Sequence, residues 1–182
     1  MARIYLVRHG EASDYEGPDP GLSESGKLQA RLVAGRLAQI VDKPIALVSS
    51  PLRRARETAE PLAARWSNTV LVADAVRELP SPGTGSERRA WLRVALRSTF
   101  AELGEQQRQW RSGILQYLGK LTSDTAVFTH AVVINAVVGH LLDDDRVLAF
   151  VPANTSITIV DVDDGHLTLV ERGAARDGDD VG

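Results

Sequence analysis

The apolar positions of this chain fall into short blocks separated by stretches of helical period. Ile4-Tyr5-Leu6-Val7, Ile45-Ala46-Leu47-Val48, Val70-Leu71-Val72 and Ala126-Val127-Phe128-Thr129 are blocks of three or four residues, rich in β-branched or aromatic side chains. Each is bounded by polar or turn-forming residues, as expected of a short strand, and the first two read as buried. Between the blocks the period changes. Ser23 is placed to cap a helix, and Leu28, Leu32, Leu37, Ile40 and Val41 follow at helical spacing until Pro44 ends it. Pro51 suits a first helical turn, and the helix it opens should reach about Trp66, bent or broken near Pro61. Two further helices are predicted over 87–103 and 105–121, divided near Gly104, and a third, apolar nearly all round and hence buried, over 132–142. Residues 156–162 and 167–170 flank Asp163-Asp164-Gly165-His166, the pattern of a β-hairpin.

Strands alternating with helices predict an α/β domain of three layers, a mainly parallel mixed sheet flanked by helices. The 182 residues suit one domain, read as 1–172, with a helical insertion at about 80–122 and a Gly- and Asp-rich flexible tail over 173–182. Composition narrows the chemistry. The chain has no Cys, which excludes a disulfide framework, a thiol nucleophile and a thiolate zinc site. Its net charge of −3 argues against a nucleic-acid partner. No apolar run approaches the ~20 residues of a bilayer span, and Met1-Ala2-Arg3 opens no leader pattern. The expectation is therefore a cytoplasmic protein without a membrane partner. Oligomeric state is open, with 45–48 and 157–162 as the apolar strands available for pairing with another copy.

Ligands of open α/β sheets sit beyond the carboxyl ends of the strands. Three predicted strand ends carry polar groups there: Arg8-His9-Gly10-Glu11, Ser49-Ser50-Pro51-Leu52-Arg53-Arg54-Ala55 and Thr129-His130-Ala131. Two His and at least two Arg converging on one rim suit a phosphoryl group, because Arg presents paired donors to its oxygens and His can donate or attack. The leading N–H groups of the following helices add anion binding. His140 with Asp143 and Asp144 has a spacing open to a metal, but a run of three Asp at a helix end reads as solvated, and no metal site is expected.

These three motifs, in order and each at a strand end, resemble the signature of the histidine phosphatase superfamily, which includes the cofactor-dependent phosphoglycerate mutases. Asn154-Thr155-Ser156 ahead of the hairpin also fits, so the resemblance runs from residue 2 to about 172. It implies a phosphoglycerate mutase-like fold and a two-step covalent displacement without metal or cofactor. His9 is implied as the nucleophile, and Arg8, Arg54 and His130 as the groups that hold the phosphate oxygens. Arg54 is preferred to Arg53 or Arg56 because the family's arginine precedes a small residue. Glu78, in Val76-Arg77-Glu78-Leu79, matches the family's general acid. Glu11, Arg88, Arg89 and Ala131 are implied substrate contacts.

The chain departs from the mutase pattern at Ala12, Tyr15 and Ala131, where Ser, Asn and Gly are usual, and its insertion is shorter. A less covered phosphohistidine favours hydrolysis over transfer back to substrate. The reading is a metal-independent phosphomonoester hydrolase acting through phosphohistidine on a small phosphorylated substrate. The alternatives are a phosphoglycerate-type mutase, a phosphohistidine-protein phosphatase and a silent phosphometabolite-binding module. From Arg77 to Arg111 there are seven Arg against four Glu. Arg88, Arg89, Arg93 and Arg97 can thus bind a second anionic group or form a solvated helix face, and Trp91 can line the site beside them.

Overall fold

The structure, a computed structural model, describes residues 1–13 and 17–176. Tyr15 and the last six positions of the expected tail lie outside the described residues. Six strands form one mixed sheet: β1 (Ala2–Arg8), β2 (Ala46–Ser49), β3 (Val70–Val72), β4 (Thr125–Thr129), β5 (Ile157–Asp163) and β6 (His166–Glu171). Their order across the sheet is β3-β2-β4-β1-β5-β6. The first four strands run parallel, and β5 and β6 are antiparallel additions beyond β1. The edges are therefore β3 and β6. The strands at 45–48 and 157–162 are both interior, which removes them as pairing edges.

Alternation along the strands assigns the faces. Tyr5, Val7, Leu47, Ala126 and Phe128 point to one side, where α1 (Glu24–Ile40) and α2 (Arg53–Trp66) supply Val33, Ala34, Leu37, Ala59 and Leu62. Ile4, Leu6, Val48 and Val127 point to the other, where α4 (Glu105–Gly119) and α5 (Ala131–Leu141) supply Ile114, Leu118 and the buried apolar run of α5. Because both faces are covered, the central strands read as unbroken apolar blocks in the sequence. The hairpin turns at Asp164 (φ 47°) and Gly165 (φ 81°), two left-handed residues in the manner of a type I′ turn.

Four expectations are corrected. The buried stripe of α1 is Gly26, Ala30, Val33, Ala34 and Leu37, whereas Leu28 and Leu32 are exposed. Small side chains let α1 lie against α2, and that packing overrides the larger leucines. Helix α2 passes through Pro61 without a break. A single missing N–H removes one helical bond, and the packing against α1 keeps the rest. Helix α3 (Gly85–Ala95) stops eight residues short of 103. Beyond it, Phe100 turns inward to 2% exposure, and its N–H bonds the carbonyl of Asp145 at 2.8 Å. Trp110 stacks on its ring, and the Arg111 guanidinium lies 4.5 Å over it. Finally, residues 173–176 keep backbone hydrogen bonds beyond the expected boundary at 172. Ala153 N–H bonds Ala174 O and Arg176 N–H bonds Val151 O, each at 2.8 Å, so 173–176 pair with the loop ahead of β5.

Candidate active site

The parallel register decides which groups meet. Arg8 is level with Thr129, and Ser49 with Phe128, so β1, β2 and β4 end together. The next residue of each strand is His9, Ser50 and His130. The His9 N–H bonds Thr129 O and the Ser50 N–H bonds Phe128 O, both at 2.9 Å, which extends the ladder by one residue into the site. The loop after β1 then crosses the first turn of α1 at very short range. A Cβ on Gly26 would stand 2.0 Å from the Glu11 carbonyl oxygen, and one on Gly10 would stand 2.7 Å from that of Gly26. Only glycine fits either position. The Gly10 N–H donates to Thr58 Oγ1 at 3.0 Å, and Asn154 Nδ2 donates to the His9 carbonyl at 3.0 Å. His9 is thus held from both sides.

Hydrogen bonding sets the tautomers. His9 Nδ1 lies 2.7 Å from the Gly10 carbonyl, which can only accept, so Nδ1 carries the proton. The lone pair is then on Nε2, which receives Arg54 Nε–H at 3.2 Å. Arg54 Nη2 also donates toward His130 Nδ1 at 3.3 Å, so the His130 proton is on Nε2, directed at Ser50 Oγ 2.7 Å away. The two rings stand 5.2 Å apart, edge to face at 61°. One buried guanidinium therefore organises both histidines. Helix period explains why it is Arg54: Arg54, Ala55, Thr58 and Ala59 form the buried face of α2. Arg53 and Arg56 point to solvent, and Arg53 Nε bonds Glu57 at 2.6 Å.

Burial and charge push the titratable groups apart. His9 is lowered to about 3, chiefly by burial and then by Arg54, against the favourable Gly10 carbonyl. His130 is held well below the usual imidazole range by burial, by His9 and by Arg54. Glu78 is shifted the other way, because its burial outweighs the Leu79 N–H bond and the nearby Arg54 and Arg8. Its Oε2 is 3.7 Å from His130 Nδ1. Burial thus favours a neutral imidazole at His9, with its lone pair on Nε2, and raises the proton affinity of the Glu78 carboxyl in the same cavity wall.

Arg8, His9, Arg54, Glu78, Arg88 and Ala131 all line one cavity of about 260 Å³. His130 lies behind it, fully buried. Arg8 Nη1 donates to the carbonyl of Pro152. Ala131 opens α5, whose leading N–H groups have no helical acceptor. Arg88 faces the cavity because 88, 92 and 96 share one face of α3, and its Nε donates to Ser81 Oγ at 2.8 Å. Two expected contacts are not in the wall. Arg89 is exposed with Arg93 and Arg97 on the outer side of α3, one step round the helix from the cavity face. Glu11 is exposed and accepts from Ser23 Oγ at 2.6 Å, tying the loop to the cap of α1. Trp91 packs on the core rather than in the cavity. Residues 143 and 144 do not gather with His140 around a metal: among the described residues no group of three metal-ligating side chains forms, and Asp144 is paired with Arg146 at 2.7 Å.

The sequence reading missed Ser50, Thr58, Leu148 and Val151. Ser50 lies inside the second motif, and Thr58 follows Arg54 by one helical turn, a signal that was present. Leu148 and Val151 come from a loop without periodicity. Asn135 places that loop: its Nδ2 donates to the carbonyls of Ala131 and Phe150, both at 2.9 Å, and its Oδ1 accepts from Ala149 and Phe150 N–H at 2.8 and 3.1 Å.

A sheet that brings two neutral histidines and one buried arginine to the ends of its parallel strands is built to handle a phosphoryl group, by the chemistry of that donor set. The sequence model of the histidine phosphatase superfamily (branch 1) matches residues 4–174, and the chain belongs to that family. Among curated relatives it is 31% identical over 121 residues to a protein of Photorhabdus laumondii named probable phosphoglycerate mutase, a match that covers 63% of this chain and 50% of that one. It is 30% identical over 116 residues to phosphoserine phosphatase 1 of Hydrogenobacter thermophilus, covering 60% and 51%. The chain thus spans about half the length of these two relatives. Among solved structures, a mycobacterial glucosyl-3-phosphoglycerate phosphatase superposes with a TM-score of 0.78 at 23% identity, covering 96% of this chain and 100% of that one. That likeness bears on the fold.

Proposed function

We propose that the chain is a phosphomonoester hydrolase that works through a phosphohistidine at His9 Nε2, without a metal. The observation that carries this is the tautomer of His9. Its proton is committed to the Gly10 carbonyl, and its lone pair stays on Nε2 at the cavity wall, where it accepts from Arg54 Nε–H until that guanidinium turns to the phosphate oxygens. In the first step Nε2 attacks phosphorus, the P–O ester bond breaks, and its electron pair leaves with the oxygen. Glu78, whose proton affinity is raised by burial, protonates that oxygen. The positive charge now on the His9 ring is offset by the phosphoryl oxygens, which Arg8 and Arg54 hold, while His130 positions Arg54 from behind through Nδ1. In the second step the Glu78 carboxylate takes a proton from water as it attacks phosphorus. The P–N bond breaks, its electrons return to Nε2, and inorganic phosphate departs.

Membership of the family and the phosphatase names of two relatives support this reading. The test is hydrolysis of phenyl phosphate by wild type and His9→Ala, each with and without a strong chelator. Chelator-resistant turnover that falls at least about a thousandfold in the variant is expected, since the covalent route is closed. Equal rates in the two proteins would reject the mechanism. A requirement for a bisphosphate primer would assign the mutase reaction instead.

A further inference from the structure

The cavity wall carries two chemically different sets of side chains. One is the phosphate cluster already described. The other is aliphatic: Leu92 from α3, Leu96 just past its end, Val132 from α5, and Leu148 and Val151 from the loop that Asn135 holds. Among the described residues of the wall, no Ser, Thr, Asn or Gln faces the space where the alcohol part of a phosphate ester would lie. The one further polar group is Arg88, tied to Ser81.

From this juxtaposition we propose that the substrate is the phosphate monoester of an apolar alcohol or phenol, a short alkyl chain or single ring, rather than a phosphorylated polyol or hydroxy acid. The assignment rests on the phosphatase reading above and narrows it. Hydroxyl groups pressed against leucine and valine lose their water partners and gain none, which penalises each of them. Methylene or ring carbons in the same place gain from leaving water. A site that recognises a sugar or glycerate phosphate needs neutral donors and acceptors at fixed positions. The described wall offers none. Its volume of about 260 Å³ limits the apolar group to a small one.

The test compares kcat/KM for ethyl, butyl and phenyl phosphate with that for glycerol 1-phosphate and 3-phosphoglycerate, using the full chain. Ethyl, butyl and glycerol esters share a primary alkyl leaving oxygen, so binding of the body rather than leaving-group chemistry separates them. Butyl phosphate should exceed ethyl phosphate by roughly fourfold per methylene, and should exceed glycerol 1-phosphate by tenfold or more. Leu92→Asn, on a half-buried face of α3, should narrow the butyl-to-glycerol ratio several-fold, and Leu148→Asn should do the same from the opposite wall. A preference for glycerol 1-phosphate would overturn the proposal. So would a preference for 3-phosphoglycerate, which would make Arg88 the ligand of a second anion. Either result, if lost in His9→Ala, leaves the phosphatase reading intact. Hydrolysis of every ester at the same rate in His9→Ala, or of none by wild type, would reject both.

Discussion

Replacing His9 by Gln should make the protein markedly more resistant to acid. The imidazole lies 4% exposed between Arg54 and the Gly10 carbonyl, and is lowered to about 3 from 6.5. Above pH 6.5 the ring is neutral in both the folded and unfolded chain and has no effect on the equilibrium. As pH falls below 6.5 the unfolded chain takes up a proton that the folded one refuses, and stability is lost steadily until about pH 3. At pH 4.5, two units into that window, the loss is about 3 kcal/mol at ~1.4 kcal/mol per unit. This is a large share of the roughly 5–15 kcal/mol that holds a domain together. His130, also depressed, weakens the fold over the same range, while Glu78, shifted upward, acts in the opposite sense. Both groups are present in wild type and variant, and His130 keeps the burial that chiefly depresses it, so the difference reads His9 together with its coupling to His130. The assay is urea unfolding followed by circular dichroism at pH 8 and pH 4.5. The wild type should lose about 3 kcal/mol more between the two than His9→Gln. Equal losses would mean that His9 is hydrated and ordinary in its basicity, and the account of its neutrality at the site would fail.

Three further outcomes follow from the site. Glu78→Gln should lower kcat by about a hundredfold or more for an alkyl phosphate and much less for a nitrophenyl phosphate, whose oxygen leaves without a proton. In wild type, activity should fall as pH rises through the upshifted Glu78 value, and the variant's pH–rate profile should lack that basic limb. Arg54→Met should cost roughly 10²–10³ in kcat/KM, and Arg54→Lys should recover little, because a single ammonium cannot span His9 Nε2 and His130 Nδ1. Asn135→Ala leaves the N–H groups of Ala149 and Phe150 and the Phe150 carbonyl without their partner, so it should cost about 3 kcal/mol in urea unfolding and should raise KM as the Leu148–Val151 wall shifts.

Much of this protein is legible in its sequence, for local reasons. Strands β1, β2 and β4, covered on both faces, need apolar blocks, and a fourth block marks the largely exposed edge strand β3. The Asp-Gly turn and the Ser23 cap are chemical demands of a few adjacent atoms, and both are met where expected. The histidines and arginines at the strand ends are visible because strand ends are where this architecture exposes polar groups. What the sequence could not settle depends on distances across the fold. Which of three neighbouring arginines turns inward is decided by the face of α2 that meets α1 and the sheet. The early end of α3 is decided by Phe100, which finds its place only beside Asp145, Trp110 and Arg111. Arg88 faces the cavity and Arg89 faces solvent because α3 has one inner side. The shift of His9 to about 3 and the apolar wall opposite it arise only when segments more than forty residues apart close around the same space. Local pattern specifies the elements and the reactive groups. Tertiary packing removes water from some of those groups, and that removal sets their protonation and what they can bind.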